Sequence, residues 1–128
     1  MSIDLSPLLE QAFFVEEVQN ASEAIERALE TYEQMTRAGA RTFEVVAPEE
    51  PNQSWLVEEL VRPLVYFCES EGSPVPRCGG VIVAMFVDRR LYAIAAEQTL
   101  LWCSDLLQAS AEQLREEYGT HETETVLR

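Results

Sequence analysis

The chain contains no lysine. All nine of its basic residues are arginines, and they face 23 acidic residues, so the formal net charge is −14. Without lysine there is no Schiff-base amine and no phosphate-loop lysine, and neither a Gly-x-Gly-x-x-Gly run nor a Gly-Lys-Ser/Thr element occurs. Histidine is scarce as well. His121 is the single histidine and lies among threonines and glutamates, which is poor support for a nucleophile–base dyad. No Glu-x-x-His pair exists, and this argues against a carboxylate di-iron bundle.

The three cysteines, Cys68, Cys78 and Cys103, are odd in number and lack Cys-x-x-Cys spacing, so a disulfide framework is not expected. Taken with His121, their separations of ten, 25 and 18 residues match no zinc finger or ribbon, and buried reduced thiols are the expectation. No metal and no cofactor are implied. Long apolar runs are missing too. The longest, Val81 to Val87, has seven residues and is closed by Asp88-Arg89-Arg90, whereas a membrane-spanning helix needs about 20. The opening Met1-Ser2-Ile3-Asp4-Leu5 shows neither a basic nor an apolar leader region, so a cytoplasmic location is expected. The arginines are scattered, Arg89-Arg90 being the only adjacent pair. That distribution, with the net charge, excludes direct binding of nucleic acid or of an anionic membrane.

Against these absences stand 47% apolar residues, two Trp, four Tyr and five Phe in 128 residues, enough for one hydrophobic core. A single domain over 1–119 is expected, with 120–128 as a flexible C-terminal tail because that stretch lacks periodicity. Ser6-Pro7 reads as a helix start, with a helix running on to about Val18. Asn20 followed by Glu23 resembles a capping box opening a second helix. Ala21, Ile25, Ala28, Leu29, Tyr32 and Met35 recur along it at helical spacing, and Gly39 closes it. Arg41 to Ala47 is rich in β formers. Ser54 opens a further helix that buries Trp55, Leu56, Leu60, Val61, Leu64 and Phe67 and ends at Gly72. Pro63 within it predicts a kink near Glu59 to Arg62.

From Gly79 onward two readings compete. Leu91, Ile94, Ala95, Gln98, Leu101 and Trp102 continue at helical spacing into Leu106, Leu107, Ala111, Leu114 and Tyr118. This favours one long helix from about Asp88 to Tyr118 and a mainly α fold, a compact bundle of three to five helices with at most a short β element. The alternative is an α+β domain with a three-stranded antiparallel sheet, strands near 41–47, 81–87 and 91–96. Against it, Asp88-Arg89-Arg90 lacks the Gly or Asn that a tight reversal prefers.

Function is sought in the charge. Twenty of the 23 acids are Glu, concentrated in the first half of the chain. Glu23, Glu26, Glu30 and Glu33 occupy successive turns of the second helix, and Glu58 and Glu59 lie on another. Arrayed over one surface, these six are the candidate partner-binding residues for a basic protein, possessed of the charge to mimic a nucleic-acid backbone. The first expectation is therefore a non-enzymatic acidic interaction protein that inhibits or sequesters a basic partner, as inhibitors, immunity proteins and phage antagonists do. A second is a self-associating adaptor or assembly chaperone, forming a homodimer through Phe13, Phe14, Trp55, Tyr66, Phe67, Tyr92 and Trp102. A third arises because clustered Glu on facing helices faintly resembles the paired acidic motifs of all-α, Mg²⁺-dependent nucleotide pyrophosphohydrolases, although the second motif is missing.

Overall fold

The computed structural model describes residues 2–37 and 39–119. It is an α+β fold and not a helical bundle. A four-stranded mixed sheet in the order β1-β4-β3-β2 is built from β1 (Phe14–Glu17), β2 (Arg41–Val46), β3 (Val81–Val87) and β4 (Arg90–Ala95). The α+β alternative comes closer but undercounts, because it lacks β1 and makes β2 antiparallel, whereas β2 runs parallel to β3. Helix α1 (Ser6–Leu9) precedes β1, and α2 (Ala21–Thr36) joins β1 to β2. The crossover from β2 to β3 is one helical rod: α3 (Gln53–Trp55), a π-helical stretch (Leu56–Val61) and α4 (Arg62–Ser70). Helices α5 (Ala96–Leu107) and α6 (Ala111–Tyr118) follow β4. No helix among the described residues is long and apolar enough to cross a membrane. The tail expected at 120–128, with His121, lies outside the described residues.

Strand β3 explains both the fold and the failure of the helical reading. Val81 to Met85 are all fully buried because the sheet is covered on both faces, which removes the polar alternation that marks a half-exposed strand. Val81, Val83 and Met85 pack, with Ile94 and Val45, against the crossover helices, α5, α6 and α1. Ile82 and Ala84 point the other way and pack, with Leu91 and Ala93, under Ala24, Ala28 and Tyr32 of α2. Phe13 leans on Tyr32 with ring centroids 5.3 Å apart. The protein is thus three layers: one helix, one sheet, and a layer of several helices.

The expected helix from Asp88 to Tyr118 is three elements. Asp88 (φ 48°) and Arg89 (φ 66°) both take left-handed backbone, the geometry of a type I′ turn, and Val87 pairs with Arg90 across it. A two-residue hairpin is therefore made without glycine, at the cost of holding an arginine in a conformation that L residues disfavour by about 1–2 kcal/mol. Pairing of β3 with β4 along six residue pairs overcomes that local penalty. The remaining helix is broken again by Gln108 (φ 55°), after which Ser110 and Gln113 form a reciprocal capping box for α6.

Other boundaries shift for identifiable reasons. The first helix stops at Leu9 instead of Val18, because Phe14 to Glu17 pair with β4; Phe14 and Glu16 turn toward α2 while Val15 and Glu17 face outward. Asn20 does cap α2, its Oδ1 accepting from the Glu23 N–H at 3.2 Å, but the helix ends at Thr36 with Arg37 in the left-handed cap position ahead of Gly39. Asn52, not Ser54, caps the crossover rod, accepting from the Trp55 N–H at 2.9 Å. Pro63 is accommodated by the π-helical turn just before it. The wider i→i+5 register moves the preceding carbonyls away from a ring that would clash in a regular α-helix. Gly80 (φ +81°) needs its missing side chain, since a Cβ would sit 3.0 Å from the Gly39 carbonyl oxygen.

Replacing Arg89 by Gly should stabilise the protein by about 0.5–1 kcal/mol, since the left-handed penalty in the hairpin turn exceeds the extra entropy of glycine in the unfolded chain. Urea unfolding followed by circular dichroism reads this; a destabilised variant would mean that the turn is not of this type.

Candidate functional site

The acidic face of α2 follows from its helical phase. Ala24, Ala28 and Tyr32 are buried on the sheet, which turns Glu23, Glu26, Glu30 and Glu33 outward, all four exposed. They span eleven residues, about 15 Å of helix axis. Their environments differ. Glu23 pairs with Arg27 at 2.8 Å, and Arg27 also reaches Glu16 of β1 at 3.1 Å, so one guanidinium bridges helix and strand. Such exposed pairs contribute roughly 0.2–1 kcal/mol. Glu33 Oε2 accepts from the Ala40 N–H at 3.3 Å. Glu26 and Glu30 form no ion pair among the described residues. Beside the helix N-terminus, Glu16, Glu17, Gln19, Asn20, Glu23 and Arg27 line a shallow polar cleft of about 250 Å³.

Glu58 and Glu59 do not join this face. They sit on the π-helical stretch, whose Leu56, Leu60 and Val61 pack on the opposite side of the sheet. Glu58 is paired with Arg62 at 3.2 Å. The six carboxylates expected to act together are therefore four on one side of the sheet and two on the other. The same separation removes the facing acidic helices that a pyrophosphohydrolase-type metal site needs, and no all-α scaffold is present to hold them. Among the described residues no three His, Cys, Asp or Glu side chains are grouped so as to hold a metal ion. Of the seven aromatic residues expected to exceed one core, Trp102 is buried, five are half-buried and Tyr66 alone is exposed. A sheet with two apolar faces encloses more than a bundle of the same length.

The other concentration of reactive groups lies where α4 meets the loop before β3. Cys68 of α4 and Cys78 of the loop are both buried and unoxidised, and their thiols hydrogen-bond one another. The S–H of Cys78 would donate to a Cys68 thiolate, so this bond holds the Cys68 thiol below its ordinary value, helped by the nearby Arg41 charge, and pushes Cys78 well up. Burial likewise pushes Cys103 far up. Arg41 also clamps the loop: its Nε lies 3.3 Å from Glu71 Oε1 and its Nη2 donates to Ser73 Oγ at 3.2 Å. Ser73 in turn donates from Oγ to the Gly79 carbonyl at 2.8 Å and from its N–H to the Cys68 carbonyl at 2.8 Å. A nucleophilic cysteine needs an accessible thiolate and a base; here both thiols are enclosed and serve to pack the loop.

Sequence reasoning counted Glu16 among the acids without its bridge to Arg27, and it missed the clamp made by Arg41. The bridge is marked only by strand alternation within a four-residue segment, and the clamp by nothing short of the fold. No protein-family model matches the chain, and neither the curated proteins nor the solved structures contain a significant match.

The enclosed thiols predict that Ellman's reagent at mildly alkaline pH labels none of the three cysteines of the native protein over minutes. All three should react once guanidinium unfolds it. Rapid labelling of Cys68 in the native state would show the loop to be open.

Proposed function

We propose that the protein is a non-enzymatic, cytoplasmic interaction protein that uses the acidic face of α2 to bind a basic protein surface and so inhibits or sequesters its partner. The observation that supports this best is that Glu26 and Glu30 stand exposed and unneutralised between Glu23 and Glu33 on one helix. Opposite charge on a partner would find four carboxylates over about 15 Å, a spacing dense enough to steer encounter with an Arg/Lys-rich cleft. The net charge of −14 extends the same field over the whole molecule and disfavours anionic partners. The nucleic-acid-mimicking form of the idea keeps four carboxylates and loses Glu58 and Glu59, which would have to meet a different surface. Self-association through aromatic surface draws less support, since the exposed large apolar side chains Val15, Met35, Val46, Tyr66, Leu101 and Leu106 are spread over five elements.

The test compares the wild type with E23Q/E26Q/E30Q/E33Q and with E58Q/E59Q, each used to capture proteins from lysate of the native host at low and high salt. One basic protein should be retained at low salt, released at high salt, and bound about tenfold or more weakly by the quadruple variant, a change of roughly 1.4 kcal/mol. E58Q/E59Q should behave as wild type. Identical capture by all three would exclude the α2 face as the binding surface.

A further inference from the structure

The α2 side of the sheet is covered by a single helix, less completely toward the far end of β2. Four strands at about 4.8 Å spacing make a face about 19 Å wide, while a helix with its side chains covers 10–12 Å. On the opposite face the crossover rod and α5 lie side by side; on this face there is α2 alone. The register shows which part is left bare. Thr42, Glu44 and Val46 of β2 lie on the same face as Ile82, Ala84 and Phe86 of β3. Val46 is 70% exposed, Glu44 is exposed and Phe86 is half-buried, although Ile82 and Ala84 just beside them are sealed beneath α2. Arg27 ties α2 to β1, and by helical phase Ile25 and Leu29, half-buried, lie on the flank of the helix away from Arg27. The uncovered strip is about as wide as the 8–10 Å that separates packed helices.

Val46 and the half-buried Phe86 give the strip an apolar end, Thr42 and Glu44 make the rest of its β2 floor polar, and its surroundings are acidic. Glu26 and Glu33 stand on the flank of α2, and Glu44 stands on β2. At the end where β2 and β3 finish, a cleft of about 410 Å³ is lined by Ala47, Pro48, Glu49, Glu50, Val87 and Asp88.

We propose that this strip is a groove that receives a cationic amphipathic helix of a partner protein. Its apolar side lies on Val46, Phe86 and Leu29, and its Lys/Arg side meets Glu26, Glu33, Glu44 and the Glu49–Glu50 pair. The inference rests on the acidic-interaction reading and gives the partner a shape: one helix, laid beside α2, that completes the missing half-layer. A second copy of the chain is disfavoured as occupant, because each copy carries a charge of −14. An anionic membrane or nucleic acid is disfavoured on the same ground.

The probe is a fluorescein-labelled 18-residue peptide of leucine and lysine arranged as an amphipathic helix. Its control is an isomer of identical composition whose leucines form no stripe. Binding is measured by anisotropy with the whole protein, and the site is mapped by ¹⁵N chemical shifts. The amphipathic peptide should bind at least about tenfold tighter than its isomer and shift the amides of Leu29, Val46 and Phe86. Val46→Arg should cost about tenfold or more in affinity. Because Val46 is exposed, this variant should keep the wild-type circular dichroism, and E58Q/E59Q should bind normally. Three results would overturn the groove: shifts confined to α5, no effect of Val46→Arg, or self-association in sedimentation that Val46→Arg abolishes, which would make the strip an interface between copies. Equal, salt-sensitive binding of the two isomers, weakened by E23Q/E26Q/E30Q/E33Q, would also overturn the groove and leave the acidic-surface reading standing. Absence of binding by either isomer would overturn the groove, with the acidic-surface reading then decided by the lysate capture alone.

Discussion

Burial of β3 on both faces is the constraint from which the rest of the architecture follows. A strand of Val, Ile, Ala and Met with no solvent face must be given apolar partners above, below and on both edges. β4 and β2 supply the edges, α2 one face, and the crossover rod with α5 the other. Each of those elements is short and amphipathic, and none is expected to be stable in water alone. Small residues on α2, Ala24 and Ala28, let that helix sit close over Ile82 and Ala84, while larger side chains, Leu56, Leu60, Leu64 and Leu100, fill the thicker layer opposite.

The same asymmetry places the charge. A helix that covers a face alone has its whole outer surface in water, so α2 can carry carboxylates at positions 23, 26, 30 and 33 without desolvating any of them. The opposite layer shares its surface among several helices, and there Glu58 is paired with Arg62. Charge density and single-helix coverage are therefore one arrangement seen from two sides. The bare strip beside α2 is its direct product.

How much could be read from the sequence differs by element. The start of helix α2 was legible to the residue and its end to within three, because Asn20 is a local cap and the apolar spacing of a one-sided helix is unambiguous. The crossover rod was legible for a similar reason, apart from the choice of Asn52 over Ser54 as cap and the π-helical form of the turn ahead of Pro63. The hairpin was not. Leu91, Ile94 and Ala95 carry apolar side chains at spacings that fit a helix as well as a strand buried on both faces, and the turn lacks glycine. β1 was hidden because four residues are too few to establish alternation, and the preceding Ser-Pro signal truly opens a helix, though one of a single turn. Of the candidate surface, the four glutamates of α2 were visible in the chain. The position of Glu58 and Glu59 behind the sheet was not, since it depends on which face the crossover takes. Glu44 and Val46 gain meaning only through the register of β2 on β3.

Strand β2 pairs with β3 across a separation of forty residues, Arg41 opposite Val81, whereas β3 and β4 are adjacent in the chain. Loop-closure entropy makes such a pairing slow to form, and an edge strand is held from one side only. Release of β2 would leave the β3–β4 hairpin paired while dissolving the floor that Glu44 and Val46 provide. A ligand seated across β2 and α2 would therefore act as a second neighbour for this edge strand, and its binding energy would appear in part as slower hydrogen exchange of the β2 amides.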